Sequence, residues 1–556
     1  MPVKRSLWYV AIGAFLLLTM MLSACGPTSG NAGNSKSPVR GGTLIDGLFE
    51  EPDTLMSGIT NETYAVMVDD ALWAPLWGGD DHGVPQPQLA TNFPSTTNGG
   101  ISADGLTITI HLKPAKWSDG QPLTADDVVW TIQLYQQPSY GLKDSLDVGN
   151  IASVTALDPE TVQIVLKHVE PPFLNIGFVD PGSFNPMPKH IYGSMTPAQI
   201  AQVFTPMVTS GPFMFKSDAD HVKGDHITLY RNPNYFRHAQ GLPYLDKVIF
   251  KIIPNTNSVL TALQSGSIDT SWFLSVTNLD AYKAIQGYTF TTDTIPVDWE
   301  QLGFNEFNPI LADPVIRKVI AGSISYNDIL AILKGTAKLT CDDAVGTFGH
   351  DPQLVPCYNA IDATTAGNML TQDGWVMGSD GVRHKNGKAL ELRYTTTANN
   401  ARRSETQLIV KQDLAPLGIK IDIVNQEATQ YFGTTLYNYK AYDIFEYTSS
   451  AGYDPDDHTN FACNEFTNVP GGSNSWHFCD PKVDAQYQIE LSNPDQAARK
   501  AAFTTIHQLL IQDLPVIWLY SYPDLAEYKN TVHNYKTAAT GETWNIWEWW
   551  CTNGKC

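Results

Sequence analysis

Residues 103–130 read ADGLTITIHLKPAKWSDGQPLTADDVVW, and three physical signals follow one another within them. In Leu106-Thr107-Ile108-Thr109-Ile110-His111-Leu112 every second side chain is apolar, the period of a strand with one buried face. Trp117-Ser118-Asp119-Gly120-Gln121-Pro122 then reads as a turn. Thr124 with Asp127 three positions on has the spacing of a capping box, and Val128, Ile132 and Tyr135 follow along one helical face. Strand, turn and helix in that order set the pattern for the rest of the chain.

Two strand–helix–strand units repeat the theme. Across 247–273, Val248, Phe250 and Ile252 point one way, Leu260 and Leu263 sit on a short helix, and Gly266 stops it. Ile268 to Phe273 then returns as a strand. The second unit runs from Leu390-Glu391-Leu392-Arg393-Tyr394 through a helix near 403–415, ended by Pro416 and Gly418, to Ile419-Lys420-Ile421-Asp422-Ile423. Asp313-Pro314 opens a further helix, with proline at the favoured first position. Alternating strands and helices predict α/β lobes with largely mixed sheets. With 556 residues, 43% of them hydrophobic, the chain can fill two or three lobes of roughly 100–200 residues each.

The N-terminus predicts the compartment. Lys4 and Arg5 precede an apolar run from Leu7 to Leu22, shorter than the roughly 20 residues of a spanning helix and ending in small residues, as a secretory signal does. Leu22-Ser23-Ala24-Cys25 resembles a bacterial lipobox, which implies lipidation of Cys25 after removal of 1–24. Residues 25–40 are rich in Gly, Ser, Asn and Pro and read as a flexible tether. No later segment approaches spanning length, so the expectation is a lipid-anchored protein on the outer face of the cell membrane. The net charge of −22 argues against nucleic acid and against flat adsorption to anionic lipid.

Six of the seven cysteines follow Cys25 and fall into local pairs: Cys341 with Cys357, Cys463 with Cys479, Cys551 with Cys556. This clustering favours three disulfides, each of the two longer loops contributing about 3 kcal/mol if unstrained. A zinc site is the rival use of these thiols, but none of the pairs has the Cys-x-x-Cys form.

Signs of catalysis are sparse. There is no His-Glu-x-x-His, Gly-x-Ser-x-Gly or Gly-x-Gly-x-x-Gly. Gly381 to Lys388 has five residues between its glycines, one too many for a phosphate loop, and Ala389 where Ser or Thr would hold magnesium; it reads as a polar hairpin. Asp454-Pro455-Asp456-Asp457-His458 with Glu465 has Thr459 where a calcium loop needs glycine. The acid pairs Asp69-Asp70, Asp126-Asp127 and Asp342-Asp343 read as helix N-termini or solvated loops. The expectation is a protein that is not an enzyme and uses no cofactor or metal.

The block at 103–130 closely resembles the signature of the family 5 solute-binding proteins of ABC importers. Ser210-Gly211-Pro212-Phe213, Arg231 to Phe236 (RNPNYF), Leu263 to Asp269 (LQSGSID), Gly303-Phe304-Asn305, Asp313 to Lys318 and Gly374-Trp375 agree in the same order, over roughly 41–530. Phe461 to Asp484 looks like the dipeptide-binding branch. The resemblance implies a two-lobed, periplasmic-binding-protein-like clamp of type II with an extra third lobe. Lobe I would combine 41–80, 205–300 and 515–556, lobe II 81–204, and lobe III 301–514, with two chain crossings between lobes I and III as hinges. It implies a monomer that captures peptides, or alternatively oligosaccharides, and delivers them to permease subunits. A secreted hydrolase on an unrelated fold and a sensor lipoprotein are the other readings.

By the same resemblance, Thr60, Asn61 and Thr63 belong to the first-lobe loop that meets the ligand, and Tyr447, Thr448, Ser449, Tyr453 and Asp454 to the third-lobe loop facing it. Peptide-binding relatives carry an aspartate four residues before the proline for the peptide's ammonium group; here that position is Ala451, and Asp454 would substitute only if the loop is reshaped. Asn305 and the aromatic residues Trp272, Phe273, Trp518 and Tyr520 complete the candidate set, since aromatics can stack on sugars or line side-chain pockets. Trp544, Trp547, Trp549 and Trp550 read as packing residues ahead of an Asn553-Gly554 turn.

Overall fold

A computed structural model describes residues 37–60, 62–142, 146–180, 182, 184–468, 472–538 and 541–556. The chain divides after Pro38, and residues 39–556 form one unit. Asn61, Cys25, the apolar leader and most of the expected tether lie outside the described residues.

The strand Thr43–Leu48 lies inside an eight-stranded sheet, parallel to Lys247–Ile252 on one side and to Thr270–Ser271 on the other. Parallel pairing requires a crossover, and the helix Thr256–Ser265 supplies it. Asn255 caps it by accepting from the amides of Asn257 and Ser258, and Gly266, at φ 72°, ends it in the left-handed conformation that glycine adopts without a Cβ clash. The return strand is shorter than the alternation predicts, because Phe273 turns the backbone to φ 59°. Antiparallel strands Leu525–Lys529 and Tyr288–Thr292 complete that edge.

The second large sheet has five strands in the order Lys420–Ile423, Glu391–Thr395, Ile444–Ser450, Asp298–Phe304, Val516–Tyr522. One of its two parallel pairs is the strand–helix–strand unit expected at 390–423, with the helix at Ala401–Leu414 and Gly418 left-handed behind it. Asp298–Phe304 and Val516–Tyr522 are buried along their whole length. Both faces of this sheet are covered: Leu302 and Phe304 enter one apolar cluster, Trp299 and Phe445 the other.

The stretch 103–130 folds as its pattern predicts. Thr107–His111 joins a three-stranded antiparallel sheet with Thr161–Leu166 and Ile151–Asp158. The helix Ala125–Tyr135 starts at the capping box, where the Thr124 amide donates to Asp127 Oδ2 at 2.9 Å. Asp313 likewise caps the helix Pro314–Ser323 through the Val315 amide. Arg383–Lys385 and Lys388–Ala389 form the polar hairpin, turning through Asn386 and Gly387 at φ 53° and 76°. The six cysteines are bonded Cys341–Cys357, Cys463–Cys479 and Cys551–Cys556, the last closing a turn through Asn553 and Gly554. Trp549 is fully buried, whereas Trp544 is only partly so.

Two acid pairs depart from expectation. Asp69 and Asp70 sit in the last turn of the helix Thr63–Leu72, at the unfavourable end of its dipole, and Asp342 and Asp343 are buried in a loop. Only Asp126 and Asp127 occupy a helix N-terminus. Local spacing carries no information about tertiary burial, which decides the other two pairs.

The chain passes between the eight-stranded and five-stranded sheets twice among the described residues, from Thr292 to Asp298 and from Tyr522 to Leu525. Carboxylates crowd there. Asp293 accepts the Trp272 indole N–H at 3.2 Å and the Asp524 amide at 3.3 Å. Burial, reinforced by mutual repulsion, pushes the carboxyls of Asp293, Asp298 and Asp524 up, with Arg402 the opposing cation near Asp298 and Asp524. Above the ordinary value of 3.8 the folded chain therefore holds protons that the unfolded chain has released, so stability falls as pH rises through the raised range. For ligand-free protein, the Tm is expected to fall between about pH 4 and about pH 8. Asp524→Asn, which removes one of the crowded charges, should be more stable than the parent at the upper pH and indistinguishable at the lower. A difference in Tm that does not change with pH would contradict this.

Candidate functional site

The loop that leaves the strand Ile444–Ser450 is tied first to one crossing, through the Ala451 amide to Val297 O at 3.0 Å. It then reaches the segment around 79–83 and 180. The Tyr453 amide donates to Asp180 Oδ1 at 2.8 Å and its hydroxyl to Asp80 O at 3.3 Å. The ring lies on glycines. A Cβ on Gly79 would sit 2.1 Å from the ring and one on Gly83 2.3 Å, closer than carbon atoms approach, and Gly83 is at φ 73°. Gly452 meets Asp180 in the same way, at 2.2 Å. Tyr453 therefore forms a clasp that only glycines can accommodate. Beside it opens a cavity lined by Trp77, Gly79, Asp180, Asn185, Trp544 and Trp547. Burial pushes Asp180 up to about 7.

The end of the five-stranded sheet nearest the crossings carries a charged group that sequence reasoning missed. Glu300 is fully buried, and Arg403 Nε reaches one of its oxygens at 2.7 Å and Arg402 Nη2 the other at 2.6 Å. Burial alone would raise this carboxyl; the two guanidiniums outweigh it and hold it below the ordinary range. Thr448 joins them, its Oγ1 donating to Glu300 at 2.7 Å and accepting from Arg403 at 3.0 Å. Arg402 also stacks 4.4 Å from the Tyr522 ring centroid. The adjacent arginines at a helix start, where cations are disfavoured, were the signal available.

On the eight-stranded side, Thr60 is buried and donates to Asp53 Oδ1 at 2.5 Å, while Thr63 is exposed as the first residue of its helix. Glu62 caps that helix through the amides of Tyr64 and Ala65, and burial pushes it up to about 7. Trp272 is buried with its indole on Asp293; its neighbour Phe273 is the exposed ring, at φ 59°, edge-on to Tyr64 at 6.4 Å. A non-glycine residue in that conformation is strained, and such strain concentrates at functional positions.

Several sequence candidates are occupied internally. Asn305 Nδ2 donates to the carbonyls of Tyr439 and Tyr442 at 2.6 and 3.0 Å, locking a turn. Trp518 and Tyr520 are fully buried, Trp518 in an apolar cluster and Tyr520 facing Arg402. Asp454 is gripped by both terminal nitrogens of Arg499, which also binds Glu490. Its carboxylate is spent within the protein and does not take the place of the aspartate missing at Ala451. Tyr447 and Ser449 remain half-buried, Tyr447 stacked on Phe445 at 5.7 Å and Ser449 accepting from Gln301 at 3.0 Å. Near the clasp, Asp80, Asp81 and His82 bring metal-ligating atoms within 4.8 Å of one another. Asp80 is spent on the His82 and Val84 amides, and Asp81 on Lys536.

Among the described residues no helix is long and apolar enough to cross a membrane. Residues 84–471 match the family profile described as bacterial extracellular solute-binding proteins, family 5 Middle. The chain is 25% identical over 561 aligned residues to the oligopeptide-binding protein AppA of Bacillus subtilis, covering 98% of this chain and 99% of that one. The solved structure of the Bacillus subtilis AppA in complex with a nonapeptide superposes with a TM-score of 0.77 at 23% identity, over 93% of this chain and 100% of the other. NikZ from Campylobacter jejuni in complex with Ni(L-His) gives 0.77 at 22% identity, over 91% and 99%. The mixed α/β fold, its several sheets and the profile match agree: this chain belongs to the bacterial extracellular solute-binding proteins, family 5.

Proposed function

We propose that this protein captures a peptide-like solute between two lobes outside the cell and delivers it to the permease of an ABC importer. Lobe I is assigned to 41–80, 205–300 and 515–556, lobe II to 81–204 and lobe III to 301–514, with the two crossings as hinges. The observation that carries the reading is the Tyr453 clasp: a loop from the five-stranded side bonded to Asp180 and Asp80 across the molecule. The two short crossings are the places where the sheets turn against each other in this reading. A solute that touches both sides favours the shut arrangement by its extra contacts there, and a permease can recognise that shape.

The ligand surface in this reading combines Thr60, Asn61, Thr63 and Phe273 on one side with Tyr447, Thr448, Ser449 and the Arg402 edge on the other. Relatives named as peptide binders support a peptide. The absence of a free carboxylate at Ala451 and Asp454 supports main-chain and side-chain contacts over capture of a free ammonium terminus. The chain acts as a monomer, without cofactor, anchored by lipid on Cys25 after loss of 1–24.

Ligand released from purified protein and identified by native mass spectrometry is expected to be a peptide. An oligosaccharide or a nickel complex in its place would overturn the peptide reading while leaving solute capture intact. Tyr453→Ala should weaken solute binding about tenfold, ~1.4 kcal/mol, chiefly through faster release, and Gly79→Val should do the same by displacing the ring. Unchanged release rates in both would contradict a closing role for the clasp. Cys25→Ser should abolish incorporation of labelled palmitate and shed the protein into the medium; a variant that stays membrane-bound would exclude the anchor.

A further inference from the structure

Behind the clasp, three side chains distant in sequence converge. Asp343 lies two residues past Cys341, inside the loop closed by the Cys341–Cys357 disulfide. Asp457 lies on the segment that carries Tyr453, and His507 projects from the long helix Gln496–Asp513. One ligating atom from each lies within 4.8 Å of the other two. The residues are 4%, 7% and 0% exposed. His507 Nε2 stands 2.7 Å from Asp343 Oδ1.

What distinguishes this group from an ordinary polar network is the set of atoms left over. No donor meets either oxygen of Asp457, Oδ2 of Asp343 or Nδ1 of His507 in good hydrogen-bonding geometry; the buried Tyr487 hydroxyl, itself without a well-aligned partner, lies against Asp457. Buried acceptors are otherwise satisfied in folded proteins, since an unmet one keeps its full desolvation penalty. The adjacent Asp342 shows the contrast: it accepts from His350 and from the amides of Ala344 and Asp351. Two carboxylates facing each other in a dry interior require either a retained proton or a cation between them. A proton would satisfy one oxygen; a metal ion satisfies both carboxylates and the ring together.

We propose that Asp343, Asp457 and His507 bind one divalent transition-metal ion of the zinc class. The donor set selects the class. Calcium takes six to eight oxygens and magnesium retains several waters, whereas two carboxylates with one imidazole are the ligands of zinc and its neighbours. The ion would join the disulfide loop, the clasp segment and the long helix at one point. It would hold Asp457, and through it the loop bearing Tyr453, in the position from which the ring meets Gly79 and Gly83. This role is independent of which solute the cleft takes.

The test uses the purified mature protein, stripped with a chelator and titrated with zinc by calorimetry, with bound metal counted by elemental mass spectrometry. One zinc per chain is expected, with a rise in Tm of several degrees. Asp457→Asn and His507→Gln should each lose that ion and the rise in Tm, and His82→Ala should keep both. Cobalt(II) added to the parent chain should give visible d–d bands of a mixed nitrogen–oxygen site, a readout that survives any folding defect in the variants. Failure to take up zinc, equal uptake by both buried-site variants, loss of the ion in His82→Ala, or calcium displacing zinc would each overturn the proposal. No uptake together with normal stability would assign the group to a shared proton.

Discussion

The two thin crossings between the large sheets are the constraint on which the rest of the molecule depends. Everything between Asp298 and Tyr522 is tethered to the eight-stranded side only at the segments entering and leaving that stretch. Two short connections of irregular backbone resist twisting weakly, so the relative position of the two sides rests on side-chain contacts elsewhere. The clasp is one such contact: a ring seated on glycines, with polar bonds from Tyr453 to Asp180 and Asp80 and from Asn175 to Asp454. A large apolar interface would fix the arrangement permanently; a small polar one can open. The crowded carboxylates at the crossings act in the same direction, because their repulsion grows as they ionise.

Buried charge ties remote segments together near the crossings and the clasp. Arg402 and Arg403 are both committed to Glu300, and Arg499 to Asp454 and Glu490. Such pairs add little net stability, since desolvation offsets much of the attraction, but removing one partner is costly. Their effect is therefore geometric. Glu300 ties the helix Ala401–Leu414 to the strand Asp298–Phe304, and Asp454 ties the clasp loop to the helix Gln496–Asp513. The residue next to Tyr453 is thereby anchored from behind while Tyr453 reaches forward.

Much of the fold was legible in local sequence because local physics decides it. The alternation at 106–112, the Thr124 capping box, the Asp313-Pro314 start and the glycine stops at Gly266 and Gly418 all act within a few residues, and each is present. The candidate site was less legible. Asp454 was singled out beside Pro455, but its partner Arg499 lies 45 residues away, and nothing in spacing announces that pair. Glu300 sits in a strand buried along its whole length, where an acid looks out of place, and its two arginines lie about a hundred positions on. Asp342 and Asp343 look like a solvated pair from sequence, yet both are buried and each faces a different histidine. Contacts between remote elements are set by the packing of whole sheets, and single-sequence periodicity does not reach that far.

Small-angle scattering on monomeric protein, first freed of ligand by partial unfolding and refolding and then saturated with the co-purified solute, measures the central claim most directly. The account predicts a larger radius of gyration for the empty form and, on binding, a smaller one matching the clasped arrangement. Superimposable profiles for empty and saturated protein, with stoichiometric binding shown on the same samples, would contradict it.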